Sequence, residues 1–152
     1  MAKVHHSVTV SRPVEDVFAF VANNYFKNAA KWNPSLVTLR QTLPGPVGIG
    51  TTGFEVQDFK GKRYERHVAV REFVPNKRFM LKSMDSSETD VYQTSFTFQQ
   101  SGLGTRVTVD YELYLHIPVF RYLKPLAERM LRKDLETIVG TRMKSAIERS
   151  TL

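Results

Sequence analysis

No cysteine occurs anywhere in the 152 residues. Its absence excludes disulfides, thiolate nucleophiles and cysteine zinc sites, and it fits a reducing cytoplasm, where we expect the protein to reside. Long apolar runs are missing as well. The longest, residues 17–22, is far too short to span a bilayer, and the first residues lack the apolar stretch of a signal peptide, so a soluble chain is expected. There is no G-x-S-x-G elbow, no G-x-x-x-x-G-K-S/T phosphate loop and no H-E-x-x-H helix, so nothing points to covalent or metal chemistry. The four histidines do not change this. His5 and His6 are adjacent and would point to opposite faces of a strand, and neither His67 nor His116 has a second ligand at metal spacing. No metal and no cofactor are expected.

Acidic residues are outnumbered, 15 against 22 basic ones, giving a net charge of +7 that attracts anions of any kind. Aromatic rings do lie beside bases in Lys62-Arg63-Tyr64-Glu65-Arg66 and Lys77-Arg78-Phe79. Acids are interspersed and the rings read as inward, so no stacking platform is evident and no nucleic-acid partner is expected. Gly48-Ile-Gly50-Thr-Thr-Gly53 matches a dinucleotide fingerprint in form alone. That motif needs a helix N-terminus after the glycines, whereas residues 54–59 alternate as a strand, so a turn and a close backbone approach are the better reading.

What the chain does have is one long amphipathic stretch, residues 118–149. Phe120, Leu123, Ala127, Met130 and Ile138 fall near one line at helical spacing, widened by Leu126, Leu131, Leu135, Met143, Ala146 and Ile147. A helix of that length would run about 48 Å and cross a small domain. Pro125 predicts a kink or restart, and Gly140 predicts close packing against a neighbour. Asp134 lies along the seam of Ala127, Met130 and Ile138, where a sheet-facing carboxylate would need a partner.

Before that helix, the alternation of Val4, Val8 and Val10 with His5, Ser7 and Thr9 predicts a strand over 3–11 with His6 on the apolar side. Pro13, followed by Glu15 and Asp16, opens a helix with Val14, Val17, Phe18 and Val21 on its core face. Residues 25–31 suit a second short helix, broken at Trp32-Asn33-Pro34. Six strands follow, at 35–43, 50–59, 62–74, 77–84, 89–100 and 104–116. They are separated by Pro44-Gly45-Pro46, Lys60-Gly61, Pro75-Asn76, Asp85-Ser86-Ser87 and Ser101-Gly102. Short connections imply antiparallel neighbours. In the last strand Val107, Val109, Tyr111, Leu113 and Leu115 share the buried face, leaving Asp110 and Glu112 to solvent. Phe54 with Val56, Tyr64 with Val68 and Val70, Phe79 with Leu81, and Tyr92 with Phe96 and Phe98 are the inward residues expected on the other strands. The result is a single α+β domain spanning 1–152.

Five pieces of the chain, in order, carry a resemblance: Val10-Ser-Arg-Pro-Val-Glu-Asp-Val-Phe18, Trp32-Asn-Pro-Ser-Leu36, Gly45-Pro-Val-Gly-Ile-Gly-Thr51, Val70-Arg-Glu-Phe-Val-Pro75 and Gly104-Thr-Arg-Val-Thr108. Together they resemble the START-like superfamily, in its polyketide cyclase/dehydrase and lipid-transport branch. The resemblance implies the helix-grip fold: a curved seven-stranded antiparallel sheet wrapped around a long C-terminal helix, two short helices after the first strand, and an apolar cavity between sheet and helix. In such a fold the residues expected to line the cavity are His6, Trp32, Phe54, Tyr64, Tyr92, Phe96, Tyr111, Met130 and Asp134. Rings with a few polar tips suit a hydrophobic or amphipathic small molecule, so a binding or carrier protein is the leading expectation. The alternatives are a cyclase-, dehydratase- or aromatase-like enzyme without metal or covalent intermediate, and a peripheral lipid-exchange protein in transient contact with anionic membranes.

Overall fold

A computed structural model gives the fold and describes residues 2–59, 61–83, 90–115 and 120–150. Strand β1 (Ala2–Val10) is followed by helix α1 (Val14–Phe18), which widens into a π-helical turn over Ala19–Asn23, and by α2 (Tyr25–Trp32). Six strands come next: β2 (Leu36–Gln41), β3 (Thr52–Phe59), β4 (Lys62–Val74), β5 (Arg78–Ser83), β6 (Asp90–Ser101) and β7 (Gly104–Leu115). The chain ends in α3 (Phe120–Thr137), a π-helical stretch over Ile138–Met143, and α4 (Lys144–Arg149), all one run of helical backbone. The strands form one antiparallel sheet in the order β1-β7-β6-β5-β4-β3-β2, so every pair but β1–β7 joins sequence neighbours. This is the helix-grip arrangement, with strand ends within a residue or two of the sequence expectation.

The period-two pattern fixes which way each strand faces. On β7, Val107 and Val109 are buried while Arg106 and Asp110 are exposed, and the register sets Val109 against His6 of β1 and Phe96 of β6. Tight turns carry the residues that their backbones require: Asn76 has φ 62 between β4 and β5, and Gly102 has φ 60 between β6 and β7. The expected turn at Asp85-Ser86-Ser87, together with Lys60, His116 and Pro118, lies outside the described residues.

Phe79 and Leu81 are sealed in the core between the sheet and the helices, each burial contributing about 1.5–3 kcal/mol. Phe18 of α1 meets Phe73 and Phe98 edge-on at 5.3 and 5.1 Å, which ties the first helix to one end of the sheet. Gly53 does the same for α2. A Cβ there would collide with the ring of Phe26, so the glycine of the fingerprint-like segment serves helix–strand contact inside a strand.

Three expectations need correction. On β3 the inward residues are Gly53, Glu55 and Gln57. Glu55 is fully buried, and Phe54 and Val56 occupy the opposite face. The pairing with β4 enforces this, because Glu55 stands opposite Arg66 and Gly53 opposite Val68, both buried. Second, Leu123, Leu126 and Met130 are exposed, with neither the sheet nor the short helices covering them. Third, the helix does not restart at Pro125, which lies within α3. That proline sits in the second turn, where it forfeits one bond, to the carbonyl of Arg121. The irregularity falls instead at Gly140, in the π-helical stretch, where an added Cβ would lie 2.9 Å from Nε2 of His6.

Candidate ligand cavity

Under the C-terminal helix the side chains do not meet completely, and a cavity of about 190 Å³ remains. Three elements build it. The two ends of α2 and its following loop contribute Tyr25, Trp32, Asn33 and Ser35. The sheet contributes Gln57, then Tyr92, Thr94 and Phe96 at alternate positions of β6, then Val109 and Tyr111 of β7. The helix contributes Leu131, Asp134, Leu135, Ile138 and Val139, one face at helical spacing. Rings brace one another along the wall. Tyr92 stacks on Tyr111 at 5.8 Å, and Trp32 meets Phe96 edge-on at 6.3 Å. The volume lies between an apolar cavity of about 150 Å³ that holds benzene and the pockets of about 300 Å³ or more that take drug-sized molecules. A single ring or a short chain would fill it.

Behind the wall lies a polar cluster. The Tyr92 hydroxyl donates to Glu55 Oε1, while Oε2 of the same carboxylate is buried and has no hydrogen-bond partner among the described residues. Opposite Glu55 on β4, the Arg66 guanidinium lies over the rings of Tyr64 and Tyr92, at 5.2 and 5.6 Å. Burial pushes the Glu55 carboxyl up to about 6, against the opposing pull of the Tyr92 hydrogen bond and the Arg66 charge. Burial first, and then the Glu55 charge, raises both Tyr25 and Tyr92 far above the ordinary phenol value. These phenols are therefore fixed as protonated donors, and Glu55 is the group able to take up or release a proton near neutral pH.

Of the residues expected at the cavity, Trp32, Tyr92, Phe96, Tyr111 and Asp134 line it. His6 does not: its imidazole is packed beneath Gly140. Tyr64 is on the inward face of β4 but beyond the cavity, between Lys62 and Arg66. Phe54 is on the outer face of the sheet, against His67 at 5.4 Å and Arg40 at 5.1 Å, and Met130 is 40% exposed. Sequence reasoning passed over Tyr25, Gln57, Thr94, Leu135, Val139 and the buried Glu55. The opposed charges at Glu55 and Arg66, at matching positions either side of the Lys60-Gly61 turn, were the available signal. Among the described residues, no three His, Asp or Glu side chains gather as a metal site, and no helix is long and apolar enough to cross a membrane.

A family model described as polyketide cyclase / dehydrase and lipid transport matches residues 1–148. Among solved structures, TTHA0849 from Thermus thermophilus is 18% identical, with 99% of each chain covered and a TM-score of 0.79. A START superfamily protein from Mycobacterium smegmatis is also 18% identical, with 95% of this chain and 99% of that one covered and a TM-score of 0.73. The di-domain ARO/CYC BexL from the BE-7585A biosynthetic pathway matches over 96% of this chain and 48% of its own, at 18% identity and a TM-score of 0.66. Identities of this size establish a shared fold. Among curated proteins none matches in sequence.

Proposed function

The chain belongs to the polyketide cyclase / dehydrase and lipid transport family, and on that premise we propose that it binds a compact hydrophobic or amphipathic molecule between its sheet and C-terminal helix. The observation that carries this reading is the cavity itself, about 190 Å³ bounded by Trp32, Tyr92, Phe96, Tyr111 and the Leu135–Val139 turn of the helix. A ring-sized hollow that opens to solvent and is walled mostly by apolar and aromatic side chains with a few polar groups is the usual form of a small-molecule site. Trp32 is the one tryptophan of the chain and lines the cavity, so its emission reports occupancy. Native mass spectrometry of the purified protein should show a bound small molecule released on denaturation. After its removal, single-ring amphiphiles should shift Trp32 emission and raise the melting temperature. A protein that is empty as purified, and unmoved by such a panel, would sink the proposal.

A second reading, a cyclase- or dehydratase-like catalyst, is favoured by Glu55. Its carboxyl titrates near neutral pH and its partner Tyr92 borders the cavity, so Glu55 in its protonated form could donate to the Tyr92 oxygen and free the Tyr92 hydroxyl to hydrogen-bond a bound carbonyl oxygen. The likeness to the ARO/CYC protein supports the same reading. The two readings separate at Tyr92→Phe. A carrier should keep its affinity and show no turnover at all, whereas an enzyme should lose rate with little change in affinity.

A further inference from the structure

The cavity has a sign as well as a size, and that sign runs against the charge of the whole chain. Although the protein carries a net +7, no Lys, Arg or His is among the described residues that line the cavity, and Asp134 is the one charged side chain among them. Asp134 makes no ion pair among the described residues. Deeper in, on the same inward face of β3 as the lining residue Gln57, Glu55 is fully buried and its Oε2 is an acceptor without a donor. The buried cation nearby, Arg66, does not reach the wall. It stands opposite Glu55 and over the Tyr64 and Tyr92 rings, and its charge is already set against that carboxylate. The orphan donor Trp32 Nε1 is neutral and does not replace a cation.

From this we infer that the cavity selects an uncharged or cationic ring-sized amphiphile bearing a hydrogen-bond donor, and rejects carboxylates. The inference rests on the binding reading above and names the ligand class within it. A carboxylate seated there would lose its water, find no cation and face Asp134. A hydroxyl or ammonium group would instead offer a proton to the Asp134 carboxylate, which lines the cavity. The small volume adds that long-chain lipids do not fit whole.

Three probes of matched size test this: phenethylamine, phenethyl alcohol and phenylacetate, titrated against the ligand-stripped protein and followed by Trp32 emission and calorimetry. The amine and alcohol should bind, with phenylacetate weaker by at least about tenfold. In Asp134→Asn, a near-isosteric change at a cavity-lining position that is open to solvent and outside the packed core, the gap between amine and phenylacetate should narrow at least about threefold, and Glu55→Gln should narrow it further. Phenylacetate binding as tightly as the alcohol, or a gap unaffected by Asp134→Asn, would overturn the inference while leaving the cavity as a binding site. Failure of all three probes on the wild-type protein would instead remove the binding reading, and the inference with it.

Discussion

The two halves of the C-terminal helix carry the same apolar spacing and end in opposite surroundings. In the first, Tyr122, Leu123, Leu126 and Met130 are 74%, 52%, 55% and 40% exposed. In the second, Leu135, Val139, Met143 and Ile147 are 9%, 1%, 0% and 0% exposed. Both runs fit one face of a helix, so periodicity identified the face correctly and said nothing of what covers it. The covered half bears marks of that fit. It alone contains the π-helical stretch, and its one glycine stands where His6 of β1 comes within contact. The uncovered half has a proline and four exposed large side chains, with basic neighbours Lys124 and Arg129.

The largest test of this contrast is Met143→Ala against Leu126→Ala. Removing a fully buried methionine should cost about 2–5 kcal/mol, with the midpoint of urea unfolding displaced and the slope retained. Leu126→Ala should stay within about 0.5 kcal/mol of wild type. Equal losses at the two sites would mean that the first half is packed in solution and would abolish the distinction.

Next in size is the carboxylate beneath the covered half. Folding raises Glu55 from 4.5 to about 6, so the folded state holds the proton more tightly than the unfolded chain does. The stabilising contribution is complete below pH 4.5 and is lost as pH rises through about 6, a change of about 2 kcal/mol. Glu55→Gln keeps an acceptor for the Tyr92 hydroxyl and removes the titration. The variant should therefore gain on wild type by about that amount between pH 4.5 and 7 in paired urea melts. A gap that does not vary with pH would place Glu55 in contact with water.

A smaller effect is expected at Gly140. Alanine is favoured over glycine in helices by about 1 kcal/mol, but here its Cβ would press on the His6 imidazole, and overpacking costs about 1–3 kcal/mol. Gly140→Ala should thus be neutral to mildly destabilising alone, and stabilising in a His6→Ala background. A double-mutant cycle measures the coupling. Additive effects would show that the helix and β1 are not in contact at this point.

How far the sequence could be read follows the same physics. Strand β7 was legible because Val107, Val109 and Tyr111 alternate with Arg106 and Asp110, and a strand facing core on one side and water on the other must alternate. Strand β3 inverted the rule: it turns Phe54 and Val56 outward and buries Glu55, so reading hydrophobicity as direction put Phe54 in the cavity and missed Glu55. The buried carboxylate is tolerated because Arg66 and Tyr92 come from two other strands, and such company is a property of the folded sheet. For the same reason Trp32, Tyr92, Phe96 and Tyr111 could be named as lining residues once a fold was supposed. Leu135 could not be told from the rest of its helix face, and Val139 was not assigned to that face at all.

The smallest effect, and the one that bears most directly on the comparison, is Leu126→Ser. An exposed leucine already in water loses almost no burial when shortened and made polar, so its replacement should change stability by less than about 0.5 kcal/mol at every protein concentration. Were the face covered by a second copy of the chain, the same change would lower the melting temperature, and the loss would shrink on dilution as wild type itself dissociated. Melts of wild type and Leu126→Ser across a roughly hundredfold range of concentration separate these cases. A shift seen in concentrated protein and absent in dilute would mean that the first half of the helix owes its exposure to the lone chain, and that the contrast between the halves describes a protomer awaiting its partner.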